Sequence, residues 1–185
     1  MLNGDTHHSE VEGEPRIRPL SRFQRHERAH DSKALASLIV SFLLIPPKSG
    51  RSVPTSPAVI LYVEQNRMLL QTVQDVLEFA GWYVKPCSDD GYAVAYVEIA
   101  QYHFDLLLID HDSRNSASRS FSGLKLVESA RRQPHRKKTP IILISLEDIA
   151  EEALRAGADA FLRKPNNLIE LVDTIKRLLD ARASD

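Results

Sequence analysis

Short apolar runs and longer segments of mixed polarity alternate regularly from Ala58 to the end of the chain. Each longer segment repeats apolar residues at helical spacing, which predicts a helix with one buried face. Each short run is bounded by polar or turn-forming residues, which predicts a strand. Five strands alternating with five helices predict βαβ units, a parallel sheet and helices on both faces of an α/β fold. The predicted strands lie in AVILYV, WYVKPC, FDLLLID, PIILIS and DAFLRK.

The segments between these strands define the predicted helices. The first, in NRMLLQTVQDVLEFAG, has Asn66 as a plausible N-cap and Gly81 as its C-terminal stop. The other helices are predicted from Asp89 to Gln101 and in SGLKLVESARRQ, LEDIAEEALRAGA and NLIELVDTIKRLLDA.

The third strand ends on a carboxylate, Asp110, after an unbroken apolar run. Such a run suits a strand that is covered on both faces, where a lone ionised carboxylate would be expensive to bury. Asp110 could cap the following loop by bonding its own backbone, a common habit of aspartate. It could instead belong to an acidic site, because ligands bind at the carboxyl ends of the strands in open α/β sheets.

Three other strands also end on polar residues, and this coincidence favours the acidic site. All carboxyl ends of a parallel sheet emerge at one edge, so a basic group there would act as counter-charge to the carboxylates. Each residue alone has an ordinary interpretation, such as a surface salt bridge or a helix cap. The strand ends are Glu64 and Gln65, Asp110, Ser145, and Lys164 with Pro165.

From about Ala58 to Ala181 the chain resembles the receiver domains of bacterial response regulators. ILYVEQN is similar to the family's first strand and acidic pair, FDLLLID to its phospho-acceptor strand, and PIILIS to the strand with the switch hydroxyl. AGADAFLRKP is the most specific match. The resemblance implies a flavodoxin-like, doubly wound, five-stranded parallel sheet of the (βα)5 type. It also implies a cis peptide bond between Lys164 and Pro165, which X-Pro chemistry permits.

The resemblance implies that Asp110 accepts a phosphoryl group from a sensor histidine kinase or a phosphotransfer protein. Mg²⁺ would assist, because the attacking carboxylate and the phosphoryl oxygens need their charges neutralised together. Ser145 and Lys164 would contact the phosphoryl group, and Phe161 would turn inward and change the face that a downstream protein binds. The implied metal ligands are Glu64, Asp110, Asp112 and, weakly, Gln65.

Three departures from the family pattern leave a second interpretation open. Gln65 replaces a carboxylate that would ligate the metal, so Mg²⁺ should bind weakly. Leu146 follows the switch hydroxyl, where the family has a very small residue, and the loop before Gly123 is longer than usual. The alternative is a receiver-like docking module that works without phosphorylation. We do not expect an enzyme, since no Ser/His/Asp arrangement or glycine-rich phosphate loop is present.

Composition divides the chain near Pro57. Residues 1–56 hold 8 Lys/Arg against 6 Asp/Glu, and residues 57–185 hold 16 against 19. We expect a disordered or weakly structured N-terminal extension and linker over residues 1–56 and a receiver domain over residues 57–185. Cys87 is the only cysteine, so the chain has no internal disulfide, which fits a cytoplasmic location.

The extension contains a 12-residue apolar run, ALASLIVSFLLI, from Ala34 to Ile45. A membrane span needs about 20 residues, so we do not expect a membrane partner. Membrane attachment, a helix that docks on an apolar surface, and a segment without a role all remain open.

A basic run, RRQPHRKK, lies between the predicted third helix and fourth strand. A basic cluster can bind nucleic acid. The position of this one between two elements favours a solvated loop, and we expect no nucleic-acid partner.

Overall fold

The computed structural model describes residues 57–111 and 122–184. These residues form five parallel strands in the order β2-β1-β3-β4-β5, together with five α-helices. This order is that of the flavodoxin-like doubly wound folds, so the predicted fold class is confirmed. The strands are β1 (Val59–Val63), β2 (Tyr83–Cys87), β3 (Leu106–His111), β4 (Ile141–Ser145) and β5 (Ala160–Arg163). The helices are α1 (Arg67–Phe79), α2 (Asp90–Glu98), α3 (Gly123–Arg132), α4 (Ala150–Ala156) and α5 (Leu171–Arg182).

The sheet separates two apolar cores because its central strands are apolar on both sides. Ile60 and Leu108 face the core that α1 and α5 cover. Leu61 and Leu107 face the opposite core, which α2, α3 and α4 cover. Leu107 and Leu108 are fully buried, as expected for a parallel strand enclosed by helices.

Side-chain caps fix where three of the helices begin. The side chain of Asn66 accepts hydrogen bonds from the backbone N–H groups of Met68 and Leu69 at 3.0 and 3.2 Å. Asp89 and Ser122 cap α2 and α3 in the same way. Such caps satisfy N–H groups that have no partner within the helix. The predicted cap at Asn66 is therefore confirmed, and each capped helix begins beside the carboxyl edge of the sheet.

Two predicted helix starts are wrong, and the second helix ends at Glu98, three residues before the predicted Gln101. Helix α4 begins at Ala150 and not at Leu146, because the hydroxyl of Ser145 accepts a hydrogen bond from the N–H of Glu147 at 3.0 Å and holds a turn there. The last helix is preceded by a separate 3₁₀ turn over Asn166–Glu170. In both places the chain forms a turn where periodicity alone predicts a helix.

Asp105 ties the beginning of the sheet to the last helix. Its Oδ2 accepts a hydrogen bond from the N–H of Val59 at 2.9 Å. Its Oδ1 and its carbonyl oxygen accept from Arg182 at 3.1 and 3.0 Å. This link lies at the amino edge of the sheet, opposite the edge where Asp110 lies.

The expectation that the basic run forms a solvated loop is wrong for two of its arginines. Arg136 is 2% exposed. Its guanidinium donates to the carbonyl oxygens of Val97 at 3.3 Å, Tyr96 at 2.9 Å and Tyr102, and it lies over the ring of Phe104. The end of α2 thus supplies carbonyls that a buried cation can bind.

Arg131 is the second arginine of this run that the fold uses. It binds Asp159 at 2.6 Å and the carbonyl oxygens of Gly157 and Thr139 at 2.7 and 2.8 Å. Asp159 also accepts from the N–H of Ile141 at 2.7 Å. Arg131 therefore joins α3 to the turns that begin β4 and β5.

We expect Arg136→Ala to lower the free energy of unfolding by about 3 kcal/mol. Charged hydrogen bonds contribute about 1.5 to 3 kcal/mol each, and the cost of burying the guanidinium offsets part of the total. Urea denaturation would measure the change. Lys138→Ala, at an exposed position of the same run, should change stability by less than about 0.5 kcal/mol. Equal effects of the two substitutions would contradict a structural role for Arg136.

Candidate functional site

Four strand ends meet at the carboxyl edge of the sheet. The register pairs Val63 with Ile109, which places the next residues, Glu64 and Asp110, side by side. On the other side of β3, the register pairs His111 with Ser145. The N–H of Lys164 donates to the carbonyl oxygen of Ser145 at 2.7 Å. The structure therefore brings these four strand ends together, as predicted.

Lys164 lies between two carboxylates in a buried cluster. Its Nζ is 2.6 Å from Oδ1 of Asp110 and 3.0 Å from Oε2 of Glu64. The side chains of Lys164, Asp110 and Glu64 are 5%, 8% and 3% exposed. Burying one of these charges alone would be costly, whereas a cluster of opposite charges compensates much of that cost.

The two carboxylates keep Lys164 charged. Burial alone would lower the pKa of Lys164, but the negative charges of Asp110 and Glu64, with the hydrogen bonds to both, outweigh it and raise the pKa. The cluster therefore contains a permanent ammonium group at neutral pH, directly beside Asp110.

Glu64 is fixed by groups other than Lys164. Its Oε1 accepts from the N–H of Asn66 at 2.8 Å, and its Oε2 accepts from the hydroxyl of Tyr62 at 3.4 Å. Tyr62 is fully buried in the core beneath the site. The sequence pattern marked Tyr62 only as a residue of an apolar strand, although its place two positions before Glu64 puts it on the same side of β1.

The first turn of α3 approaches Asp110 closely, and a glycine makes this possible. A Cβ atom on Gly123 would lie 2.7 Å from the carbonyl oxygen of Asp110, closer than real contacts allow. Gly123 itself is buried. The sequence showed Gly123 only as an isolated glycine, because its contact with Asp110 depends on the folded chain.

The remaining predicted site residues lie around this cluster. Ser145 is fully buried and Leu146 beside it is half-buried. Phe161 is half-buried and packs against the core under α3 and α4. Gln65 is exposed, and the peptide bond between Lys164 and Pro165 is cis, as the resemblance implied.

The oxygen ligands at this edge fit Mg²⁺ in their chemistry. Magnesium prefers carboxylate and other oxygen ligands and keeps several waters, and Glu64, Asp110 and Gln65 supply such oxygens. Within residues 57–111 and 122–184, no group of three or more His, Cys, Asp or Glu side chains is arranged to hold a metal ion. Asp112, the further predicted ligand, lies outside the described residues, as does the apolar run from Ala34 to Ile45.

Residues 60–176 match the family model described as the response regulator receiver domain, which is more than half of the chain. A receiver domain protein from Methanospirillum hungatei is 29% identical with a TM-score of 0.59, over 70% of this chain and 98% of that one. The chemotaxis protein CheY4 of Vibrio cholerae is 28% identical with a TM-score of 0.57, over 66% and 99%.

A third solved structure is the receiver domain of a sensor histidine kinase from Pseudomonas aeruginosa, with magnesium coordinated in its active site cleft. It is 24% identical with a TM-score of 0.57, over 68% of this chain and 99% of that one, and this likeness shows the fold. No curated protein matches the chain significantly. In the described part of the chain, no helix is long and apolar enough to cross a membrane.

The contribution of Lys164 to stability should decrease only at high pH. Because its pKa is raised in the folded state, the stabilisation is complete below the ordinary pKa of 10.5 and is lost as the pH rises through the higher folded value. Lys164→Met should lower the free energy of unfolding by about 3 kcal/mol at neutral pH. This difference should hold up to the ordinary pKa and shrink above it.

Urea denaturation at a series of pH values would measure this difference. Lys125→Met, at an exposed position of α3, is the matched control and should show no such dependence. A difference that vanishes well below the ordinary pKa would contradict the charge cluster.

Proposed function

The chain belongs to the response regulator receiver domain family, and on that premise we propose that it receives a phosphoryl group on Asp110. The donor is the phosphohistidine of a sensor histidine kinase or of a phosphotransfer protein. The observation that carries this proposal is the contact of 2.6 Å between Asp110 and the ammonium group of Lys164. Asp110 is thereby held as a carboxylate beside a positive charge at the edge where ligands of such folds bind.

Asp110 acts as the nucleophile. One of its carboxylate oxygens forms a bond to phosphorus while the bond between phosphorus and the histidine nitrogen of the donor breaks, and the imidazole leaves. Lys164 neutralises charge on the phosphoryl oxygens as they approach. Glu64 positions Lys164, because it is itself fixed by Asn66 and Tyr62.

Mg²⁺ is part of this proposal as a weakly bound ion. Its residue ligands are Glu64, Asp110 and Asp112, with Gln65 as a neutral ligand. When bound, the ion neutralises negative charge shared by Asp110 and the incoming phosphoryl group. The receiver domain from Pseudomonas aeruginosa, which has this fold, supports a magnesium site at this edge.

The signal leaves the domain through Ser145 and Phe161. The hydroxyl oxygen of Ser145 accepts a hydrogen bond from the N–H of Glu147, and the hydroxyl would turn to donate its proton to the new phosphoryl oxygens, which are strong acceptors. The turn between β4 and α4 would then move, and Phe161 would pack further inward. A downstream protein would read this change at the face around Phe161, without any enzymatic activity of the chain itself.

We place this exchange in the cytoplasm. Cys87 is the only cysteine of the chain, so no internal disulfide can form, which suits a reducing compartment. Both partners, the phosphohistidine donor and the downstream receptor, are proteins in this proposal, and neither a nucleic acid nor a membrane is required.

We expect intact Asp110 to gain one phosphoryl group when the protein is incubated with phosphoramidate and Mg²⁺, or with a histidine kinase. Intact mass would show this gain, and Asp110→Asn should abolish it because the amide is not nucleophilic. Asp148→Asn changes an exposed aspartate and should leave the gain unchanged. A labelled Asp110→Asn protein would refute the acceptor assignment. No gain under either condition would favour the docking module.

We expect Gln65→Asp to tighten Mg²⁺ binding about thirtyfold. Two unit charges 4 Å apart attract by about 1 kcal/mol in water, the ion carries two charges, and each 1.4 kcal/mol is about a factor of ten. Calorimetric titration would measure the affinity. Gln65→Asn keeps a neutral amide and should leave the affinity close to that of the natural protein. Unchanged affinity in Gln65→Asp would mean that this side chain does not reach the ion.

A further inference from the structure

Helix α2 carries an apolar stripe on the side that faces the edge strand β2. Tyr92 and Tyr96 are four residues apart and so lie on one side of the helix, and Ile99 directly follows its last residue. Tyr92 is 65% exposed and Ile99 is 41% exposed. The opposite side of the helix contacts α3, where Glu98 accepts a hydrogen bond from Ser129. The stripe therefore does not contribute to packing between these helices.

Neighbouring side chains extend the stripe into a continuous surface. The rings of Tyr92 and Tyr96 lie 6.4 Å apart, and Tyr102 contacts Tyr96 edge-on at 4.8 Å. From β2, the ammonium group of Lys85 lies 5.4 Å from the centre of the Tyr96 ring. We call this surface the aromatic flank, and its members are Tyr83, Lys85, Tyr92, Tyr96, Ile99 and Tyr102.

The aromatic flank lies close to the point where the chain enters the sheet. Tyr83, which is 56% exposed, pairs with Val59 and donates its N–H to the carbonyl oxygen of Ala58 at 2.9 Å. Alternation along β2 puts Tyr83 on the same side as Lys85. Val59 packs in the same core as α2. The described part of the chain therefore begins beside this surface.

We propose that the apolar segment Ala34–Ile45 binds the aromatic flank of its own chain. Ten of its twelve residues are apolar, and the other two are Ser37 and Ser41. Such a segment has apolar surface to bury.

The tether is long enough for this contact. Residues 46–56 separate the segment from Pro57, and 11 extended residues span up to roughly 36 to 40 Å. The nine residues of α2 span about 14 Å. The segment can therefore reach every part of the stripe.

The physical drive is burial of two apolar surfaces that otherwise face water. The aromatic flank would supply the apolar partner that the segment lacks in water. A short tether raises its effective concentration to about the millimolar range, which favours the same chain over a second copy. Stacked tyrosines lose little rotamer freedom when covered, which also favours binding.

Hydroxyl-radical footprinting of the full chain, read by mass spectrometry, tests this contact. In Leu38→Asp/Phe42→Asp, two charges enter the apolar segment, and labelling of Tyr92 and Tyr102 should rise several-fold. Ser49→Asp/Ser52→Asp adds the same charge to the linker outside this segment and should leave the labelling as in the natural protein. Met68, exposed on α1, is the internal reference and should label equally in all three proteins.

Each other outcome overturns the proposal. Equal labelling of Tyr92 and Tyr102 in all three proteins would mean that the segment does not cover them. An equal rise in both double variants would mean that added charge, and not lost apolar contact, exposes the flank. Protection that falls on dilution of the natural protein would assign the contact to a second copy. None of these results depends on whether Asp110 is phosphorylated.

Discussion

The rest of the structure depends on the burial of three charges together. Lys164, Asp110 and Glu64 are each less than a tenth exposed, and the ammonium group of Lys164 compensates the negative charge of both carboxylates. Their meeting requires β1, β3 and β5 to end at the same height, which a shift of one residue would prevent because it moves a side chain to the other face. The cluster therefore constrains the register of the sheet as much as it defines the site. The same charge cluster therefore serves both the fold and the candidate site.

The sequence was sufficient for the fold and for the composition of the cluster. Apolar runs that end in a charge predict buried strands with polar ends, and parallel strands bring those ends to one edge, so Asp110, Glu64 and Lys164 could be grouped in advance. The start of α4 could not be predicted in this way. There the hydroxyl of Ser145 accepts a hydrogen bond from the N–H of Glu147, and this bond competes with a sequence pattern that predicts a helix.

Contacts between residues far apart in the sequence also could not be predicted from the sequence alone. Arg136 occurs in a run that is typical of solvated loops, yet it is buried because the carbonyls at the end of α2 meet it in space. Gly123 carries no local signal for its contact with Asp110. Tyr62 looks like any core residue until its hydroxyl is found at Glu64. In each case the partner is supplied by tertiary structure.

The amino edge of the sheet is held in a different way, through Asp105. This residue binds both the N–H of Val59 at the start of β1 and Arg182 near the end of α5. In mechanical terms, tension on the segment before Pro57 would load this junction first and pass through Arg182 into the last helix. The acidic cluster lies at the far end of β1, five residues or roughly 17 Å away. A pulling force on the chain before Pro57 would thus be resisted at Asp105 before it could distort the geometry around Asp110.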